Sequence, residues 1–314
     1  MNKETLPIHF APLQGYTDAV YRRAHARIFG GIDTYYSPFV RVEHGEIRRK
    51  DIRDIAPDNN QGLHLIPQLI APNVDKAEHI MALFIENNYT DVDINLGCPF
   101  PMLAKRHNGA GMLPYPEEVK ALLTTLVEKY PHVHFSVKLR LGWDKAEECI
   151  ALLPLLNELP LSHLILHPRL GKQQYKGEVD LDAFEAFYNG CRQPLFYNGD
   201  LHTGMDIQAV TDRFPRLAGI VIGRGLLANP ALAWEYRQGM QLGEDERKEK
   251  VRQLHAEVFS AYREQLQGGD LQLLTKMKSF WEYLLPDGDR KARKAIHKAT
   301  KLTAYEIAVS NLLR

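Results

Sequence analysis

Cysteine is scarce in this 314-residue chain, which has only Cys98, Cys149 and Cys191. An odd, sparse set excludes a disulfide framework and supplies no paired metal ligands, so no metal site is expected. Net charge is missing too. The 39 Lys and Arg cancel the 39 Asp and Glu. That excludes a uniformly basic nucleic-acid coat but not a local basic patch. No apolar run approaches the length of a membrane span, and the opening MNKETLPIHF has no signal-peptide apolar region. A cytoplasmic protein with no membrane partner is expected. The first apolar run is followed by Gln14-Gly15-Tyr16-Thr17-Asp18, not by the G-x-G-x-x-G of a dinucleotide-binding fold. No solenoid repeat or low-complexity tract is evident. The 45% hydrophobic and 25% charged fractions are those of a soluble globular protein.

Short β-like runs alternate with amphipathic stretches almost to residue 240. The runs are His9–Gln14, Thr34–Val40, His64–Ile70, Asp91–Gly97, His134–Gly142, His163–Pro168, Leu195–Asp200 and Gly219–Gly225. Alternation implies a parallel sheet, and eight units match an α/β fold of the (β/α)8 TIM-barrel type. The run ends are polar: Gln14, Arg41, Gln68, Asn95 and Cys98, Lys138 and Arg140, His167, Asn198 and Asp200, Arg224. In a barrel these ends form the active-site face. After Gly239 helical spacing continues without strands, over Glu244–Leu266, Leu271–Leu285 and Lys291–Leu313. The expected division is a catalytic barrel over 1–240 and a small all-helical domain over 241–314.

Asp93-Ile94-Asn95-Leu96-Gly97-Cys98-Pro99 is the most informative stretch. Gly97 and Pro99 end a strand around one thiol, beside the amide of Asn95. Asn198-Gly199-Asp200 and Gly223-Arg224-Gly225 end the seventh and eighth runs. Loops there are the usual phosphate site of this barrel, with glycine amides and an arginine for the phosphate oxygens. Lys138 and His167 can donate to an electron-rich ring such as a reduced flavin, and Gln68 and Asn95 can supply neutral hydrogen bonds.

Taken in order, Ala11 to Asp18, Asp93 to Pro99, Val137 to Gly142, His167-Pro168-Arg169, Asn198-Gly199-Asp200 and Ile222 to Gly225 resemble the tRNA-dihydrouridine synthases. Pro38 to Val42 and Arg140 to Asp144 look most like the bacterial C-type branch. The resemblance covers the whole chain. It implies an FMN-containing TIM barrel, a helical tRNA-binding domain, and reduction of the C5–C6 bond of tRNA uridines with NADPH (or NADH), at position 16 for the C-type. By carry-over, Pro12, Leu13, Gln14, Gln68, Lys138, His167, Asn198, Gly199, Asp200, Gly223 and Arg224 would contact FMN, Asn95 would contact flavin or uracil, and Cys98 would be the proton donor. Two departures stand out. His167-Pro168-Arg169-Leu170 replaces a pattern that often ends in threonine, and Phe100-Pro101-Met102 replaces a stretch that is commonly polar and basic.

A thiol of ordinary pKa near 8.5 is mostly protonated at pH 7 and suits a general acid. RNA contact needs local positive charge. From Leu271 to Arg314 nine Lys or Arg face four Asp or Glu, an excess of five. Arg290, Lys291, Arg293, Lys294 and Lys298 are densest, extended by Lys276, Lys278 and Lys301. Lys105 and Arg106 after the cysteine, and Arg41 and Arg140 at run ends, complete the expected RNA contacts. The protein is expected to be a monomer with tRNA as its partner. The alternatives are an FMN barrel acting on a small pyrimidine and a non-catalytic tRNA-binding protein.

Overall fold

The computed structural model describes residues 6–314. The first five residues, which open the expected 1–240 domain and carry part of the leader reading, lie outside the described residues. Parallel strands follow one another in chain order: Ile8–Phe10, Thr34–Tyr36, Leu65–Ile66 with Gln68–Leu69, Asp91–Leu96, His134–Gly142, His163–Leu170, Leu195–Tyr197 and Gly219–Ile222. The third run is split at Pro67, which has no N–H for a ladder. Its first half pairs with Thr34–Tyr36 and its second with Asp91–Leu96. The first and last strands also pair, so the sheet closes into the expected barrel. Several strands are shorter than the runs suggested. Pro12 and Pro38 follow the first two strands, where the chain leaves the ladder as loops over one end of the barrel.

Strand side chains alternate in and out. Ala11, Tyr36, Ile66, Ile165, Phe196 and Val221 point inward and form one apolar plug. The outward set meets the helices. In the Val74–Glu86 helix, capped by the Asn73 side chain, Ala77, Ile80, Met81 and Phe84 recur at helical spacing and are buried. Burying Phe84 alone stabilises by roughly 1.5–3 kcal/mol.

Beyond the barrel the chain is helical: Glu244–Gln265, Gly269–Phe280, Arg290–Lys298 and Leu302–Leu312. The run expected as one helix over 291–313 is two. An extended Ala299 turns the chain back so that Ile296 can bury alongside Tyr305, Ala308 and Val309. These helices grip the loop after the first strand. The Tyr262 hydroxyl donates to Asp18 at 2.8 Å, and Lys276 reaches Asp18 at 2.8 Å and the Gly15 carbonyl at 3.0 Å. The Tyr16 hydroxyl donates to Glu282 at 2.6 Å. Among the described residues no helix is long and apolar enough to cross a membrane.

Candidate active site

The C-terminal strand ends surround a cleft of about 860 Å³ that opens to solvent. Pro12, Leu13 and Gln14 form one side. Asn95, Cys98, Lys138, Arg140 and His167 form the floor and far wall, and Asn198, Gly199, Asp200, Gly223 and Arg224 close the remaining side. The spacing of two along each strand brings these groups to one face. Asn95 lies in register with Lys138, and Arg140 with His167.

Cys98 is held by its backbone. The buried Asn95 side chain turns back, and its Oδ1 accepts from the amides of Gly97 at 3.0 Å and Cys98 at 2.8 Å. From the other side the Ala110 amide donates to the Cys98 carbonyl at 3.1 Å. A Cβ on Gly109 would come within 2.8 Å of Cys98 Cβ, and Gly109 has φ +58°, so only glycine fits there. Burial raises the thiol pKa, outweighing the Phe100 amide and the charges of Arg140, Arg41 and Lys138. The group therefore remains a protonated donor at neutral pH.

The Lys138 ammonium makes no hydrogen bond among the described residues. Burial, then the charge of Arg140, brings its pKa down to about 8, while Asp93 and Cys98 pull the other way. His167 is neutral, because burial and the cations Arg140, Lys138, Arg169 and Arg224 drive its pKa far down. Arg169 Nη1 lies 3.1 Å from His167 Nε2. An arginine can only donate, so Nε2 is the acceptor and the proton sits on Nδ1.

Asp200 links the two phosphate-type loops. It accepts from Arg169 at 2.9 Å and Arg224 at 2.7 Å. Burial alone would raise its pKa, but the Arg169 hydrogen bond and the two guanidinium charges hold it below the usual carboxylate range. Asn198 Nδ2 donates to the Val221 carbonyl at 2.6 Å, tying the seventh strand end to the eighth. A Cβ on Gly225 would overlap the Leu201 carbonyl, so the two loops touch only because that residue is glycine. At Gly223 a Cβ would find ordinary contacts at 3.4 Å or more.

Five expected positions are engaged elsewhere in the fold. Gln68 is not on the cleft wall. It is fully buried behind Asn95, with both amide atoms engaged. Arg140 is only 2% exposed, and its guanidinium donates to the carbonyls of Gly97, Leu170 and Gln174, so it is a strut rather than a free cation for RNA. Lys276 and Arg293 are likewise committed. Lys276 clamps Asp18, and Arg293 donates to the carbonyls of Leu284 and Leu285, closing the turn before its own helix. Arg41 pairs with Glu43. Lys105, Arg106, Arg290, Lys291, Lys294, Lys298 and Lys301 are exposed, and Lys278 is half-buried.

Three residues at the site were not assigned a role from sequence. Arg169 is fully buried and organises His167 and Asp200. Its signal was its place two residues after His167 on the same strand face. Asp93 had the same signal relative to Asn95. Tyr175 lies in a loop, with Arg224 and Arg140 at 4.6 Å and 5.3 Å from its ring centre. Nothing in its local pattern marked it.

Known proteins resemble this chain in sequence and in fold. The chain is 28% identical over 233 residues to tRNA-dihydrouridine synthase B of Pasteurella multocida, covering 73% of this chain and 68% of that one. It is 28% identical over 251 residues to tRNA-dihydrouridine(16) synthase of Haemophilus ducreyi, covering 74% of each. Its fold is similar to that of a morphinone reductase variant solved with tetrahydroNAD, at a TM-score of 0.51 and 14% identity over 76% of this chain and 88% of that one. The profile of the family described as Dihydrouridine synthase (Dus) matches residues 9–310, so the chain belongs to the dihydrouridine synthase family.

Proposed function

We propose that this protein reduces the C5–C6 double bond of a uridine in tRNA to 5,6-dihydrouridine, with bound FMN, NADPH as reductant and Cys98 as the general acid. Residues 1–240 form the catalytic unit and 241–314 the tRNA-binding unit of a monomer that works in the cytoplasm. The observation that carries this reading is one cleft lined by a protonated thiol, a lysine without a hydrogen-bond partner among the described residues, a neutral histidine and two loops joined through Asp200.

The donor set suits FMN. Arg224 and the amides at Gly223 and Gly225 match a phosphate. The ammonium of Lys138, unmatched by an acceptor among the described residues, suits the electron-rich edge of an isoalloxazine. His167 offers an Nδ1–H without adding a further charge to a site that already holds several cations. When bound and reduced, FMN supplies a hydride for C6 of the uracil ring.

The chain's residues do the rest. Cys98 Sγ–H gives its proton to C5, and solvent later reprotonates the thiolate. Asn95 keeps the Cys98 turn in place during that transfer. Pro12, Leu13 and Pro99 supply an apolar wall that keeps water from the reacting ring. A uridine in folded tRNA must be extruded to reach the cleft, and extrusion costs least from a loop such as that containing position 16. The exposed lysines and arginines of Arg290–Lys298, with Lys105 and Arg106, would hold the tRNA backbone.

The test is direct. Purified protein should be yellow and, with NADPH and unmodified tRNA, should convert a D-loop uridine to a product heavier by two hydrogen atoms in mass-spectrometric mapping, at position 16. Reduction of free pyrimidines with no change in tRNA would replace this reading by the small-molecule one. Protein that binds tRNA but never takes up FMN would replace it by the non-catalytic one.

A further inference from the structure

Beneath the cleft floor runs a chain of hydrogen bonds whose four side chains, Ser136, Asp93, Gln68 and Asn95, are all buried. Ser136 Oγ donates to Asp93 Oδ1 at 2.7 Å. Gln68 Nε2 donates to Asp93 Oδ2 at 2.6 Å. Asn95 Nδ2 donates to Gln68 Oε1 at 2.7 Å. Asn95 Oδ1 accepts from the amides of Gly97 and Cys98. Strand register brings these side chains together, because Gln68 and Ser136 lie opposite Asp93 on either side.

We propose that Asp93 is a positioning residue for Cys98, acting through the direction of this chain. The two ends of the chain leave no freedom. Backbone amides can only donate, so Asn95 must turn its oxygen to Cys98 and its nitrogen to Gln68. Gln68 must then turn its oxygen to Asn95 and its nitrogen onward, where only an acceptor fits. Asp93 is that acceptor. Without it, either amide can flip, and a flipped Asn95 sets an NH2 group against two backbone N–H groups and releases the cysteine turn. Burying a carboxylate this fully is costly, and burial lifts its pKa to about 7. The direction of the chain survives protonation, since the acid's carbonyl oxygen still accepts from Gln68 while its hydroxyl turns to Ser136. An acceptor at this position is therefore required, and a negative charge is not.

The inference rests on the reading of Cys98 as general acid, and two readouts separate them. The first is the rate at which iodoacetamide alkylates Cys98 in the FMN-loaded protein, followed by peptide mass spectrometry. Cys149 and Cys191 are buried and serve as internal controls. The second is the tRNA-dependent reoxidation of reduced flavin in stopped flow. Asp93→Asn, which can still accept from Gln68, should stay within about threefold of the parent in both. Asp93→Ala should alkylate several-fold faster and reoxidise about tenfold or more slower. Gln68→Glu sets two carboxylates against each other and should be impaired. Asp93→Asn/Gln68→Glu restores the direction, with the new amide donating to the new carboxylate, and should recover most of the loss. That pair keeps the test intact if Asp93→Ala fails to fold. Folded Asp93→Ala with parent rates in both readouts, or a double variant no better than Gln68→Glu, would overturn the proposal. So would Asp93→Asn as impaired as Asp93→Ala, which would assign Asp93 a purely electrostatic role. Failure of the general-acid reading is seen separately, as parent reoxidation in Cys98→Ala.

Discussion

At the N-terminal half of the barrel the buried polar groups satisfy one another. The Tyr36 hydroxyl lies 2.7 Å from His163 Nε2 and 3.1 Å from His9 Nδ1, and His163 Nδ1 lies 3.1 Å from Ser162 Oγ. Burial drives the pKa of His9 to about 3 and that of His163 to about 4, so both are neutral and no net charge is confined there. At the C-terminal end the polar groups are as crowded but do not close on themselves. The Lys138 ammonium lacks a hydrogen bond among the described residues, Arg140 is buried, and His167 is kept neutral by burial and the cations around it. One end minimises the cost of burying polar atoms. The other retains a positive field at a cost in stability, and an anionic, electron-rich ligand would relieve it.

The largest effect should come from Cys98, the group proposed to act on substrate. Cys98→Ala should bind FMN and be reduced by NADPH as the parent is. Its tRNA-dependent reoxidation should fall by about 10²–10⁴-fold, the usual contribution of general acid catalysis. Cys98→Ser should be similarly impaired, since a hydroxyl is a far weaker acid than a thiol. Stopped-flow absorbance separates the half-reactions. A parent rate in either variant would remove Cys98 from the chemistry.

Opposite outcomes are expected at the two ends of the barrel. Lys138→Met removes a half-buried cation whose ammonium has no hydrogen bond among the described residues. It should raise the melting temperature of FMN-free protein while slowing turnover by about 10–100-fold, the scale of a charged hydrogen bond. Tyr36→Phe removes the hydroxyl that two histidines share. It should cost about 1–3 kcal/mol of stability with little effect on turnover. If both variants lose stability and activity together, the two ends are not distinct in the way their hydrogen bonds suggest.

The contrast extends to pH. His9 and His163 titrate far below the ordinary value of 6.5 when folded. Between 6.5 and about 4 the unfolded chain binds more protons, so stability present above pH 6.5 is lost as pH falls. Asp93 at the cleft has the opposite sign. Its folded pKa of about 7 means the folded chain binds the extra proton, and stability declines as pH rises from about 4 to 7. Chemical denaturation across this range should show a net fall toward acid. His9→Gln/His163→Gln should flatten that slope, and Asp93→Asn should steepen it. No change in slope with the histidine pair would mean that other groups set the acid limit.

Much of this architecture was legible in the sequence because it rests on short-range pattern. Alternation of β and α elements pointed to the barrel, and polar residues ending the strands pointed to the cleft. Cys98, Asn198, Asp200 and Arg224 sit just past their strand ends, while Lys138 and His167 lie within their strands. What could not be read was commitment. Arg140 and Arg293 look like free cations in a linear chain, and only the fold reveals that their guanidinium groups bind backbone carbonyls. Gln68 was expected at the ligand, yet its register opposite Asp93 places it one layer deeper. Tyr175 enters from a loop, where no periodicity exists to mark it.

The smallest predicted effect carries the comparison of satisfied and unsatisfied cations into the helical region. In the Arg290–Lys298 helix Ala292 and Ile296 are buried, while Lys291, Lys294 and Lys298 lie exposed along another face. Arg293 is on the same helix but is anchored to the Leu285 carbonyl at 2.6 Å. Lys294→Glu/Lys298→Glu should leave FMN content and melting temperature unchanged. It should weaken tRNA binding and reduce the slope of log K against log[salt] by roughly 0.7–0.9 for each phosphate that is no longer neutralised. Arg293→Ala should do the reverse, lowering stability because two carbonyls lose their donor, with the salt slope preserved. Filter binding across a salt series reads the slopes. An unchanged slope in the lysine pair would make that face ordinary solvated surface and move the tRNA-binding surface elsewhere, with Lys105 and Arg106 beside the cleft the next cations to reverse.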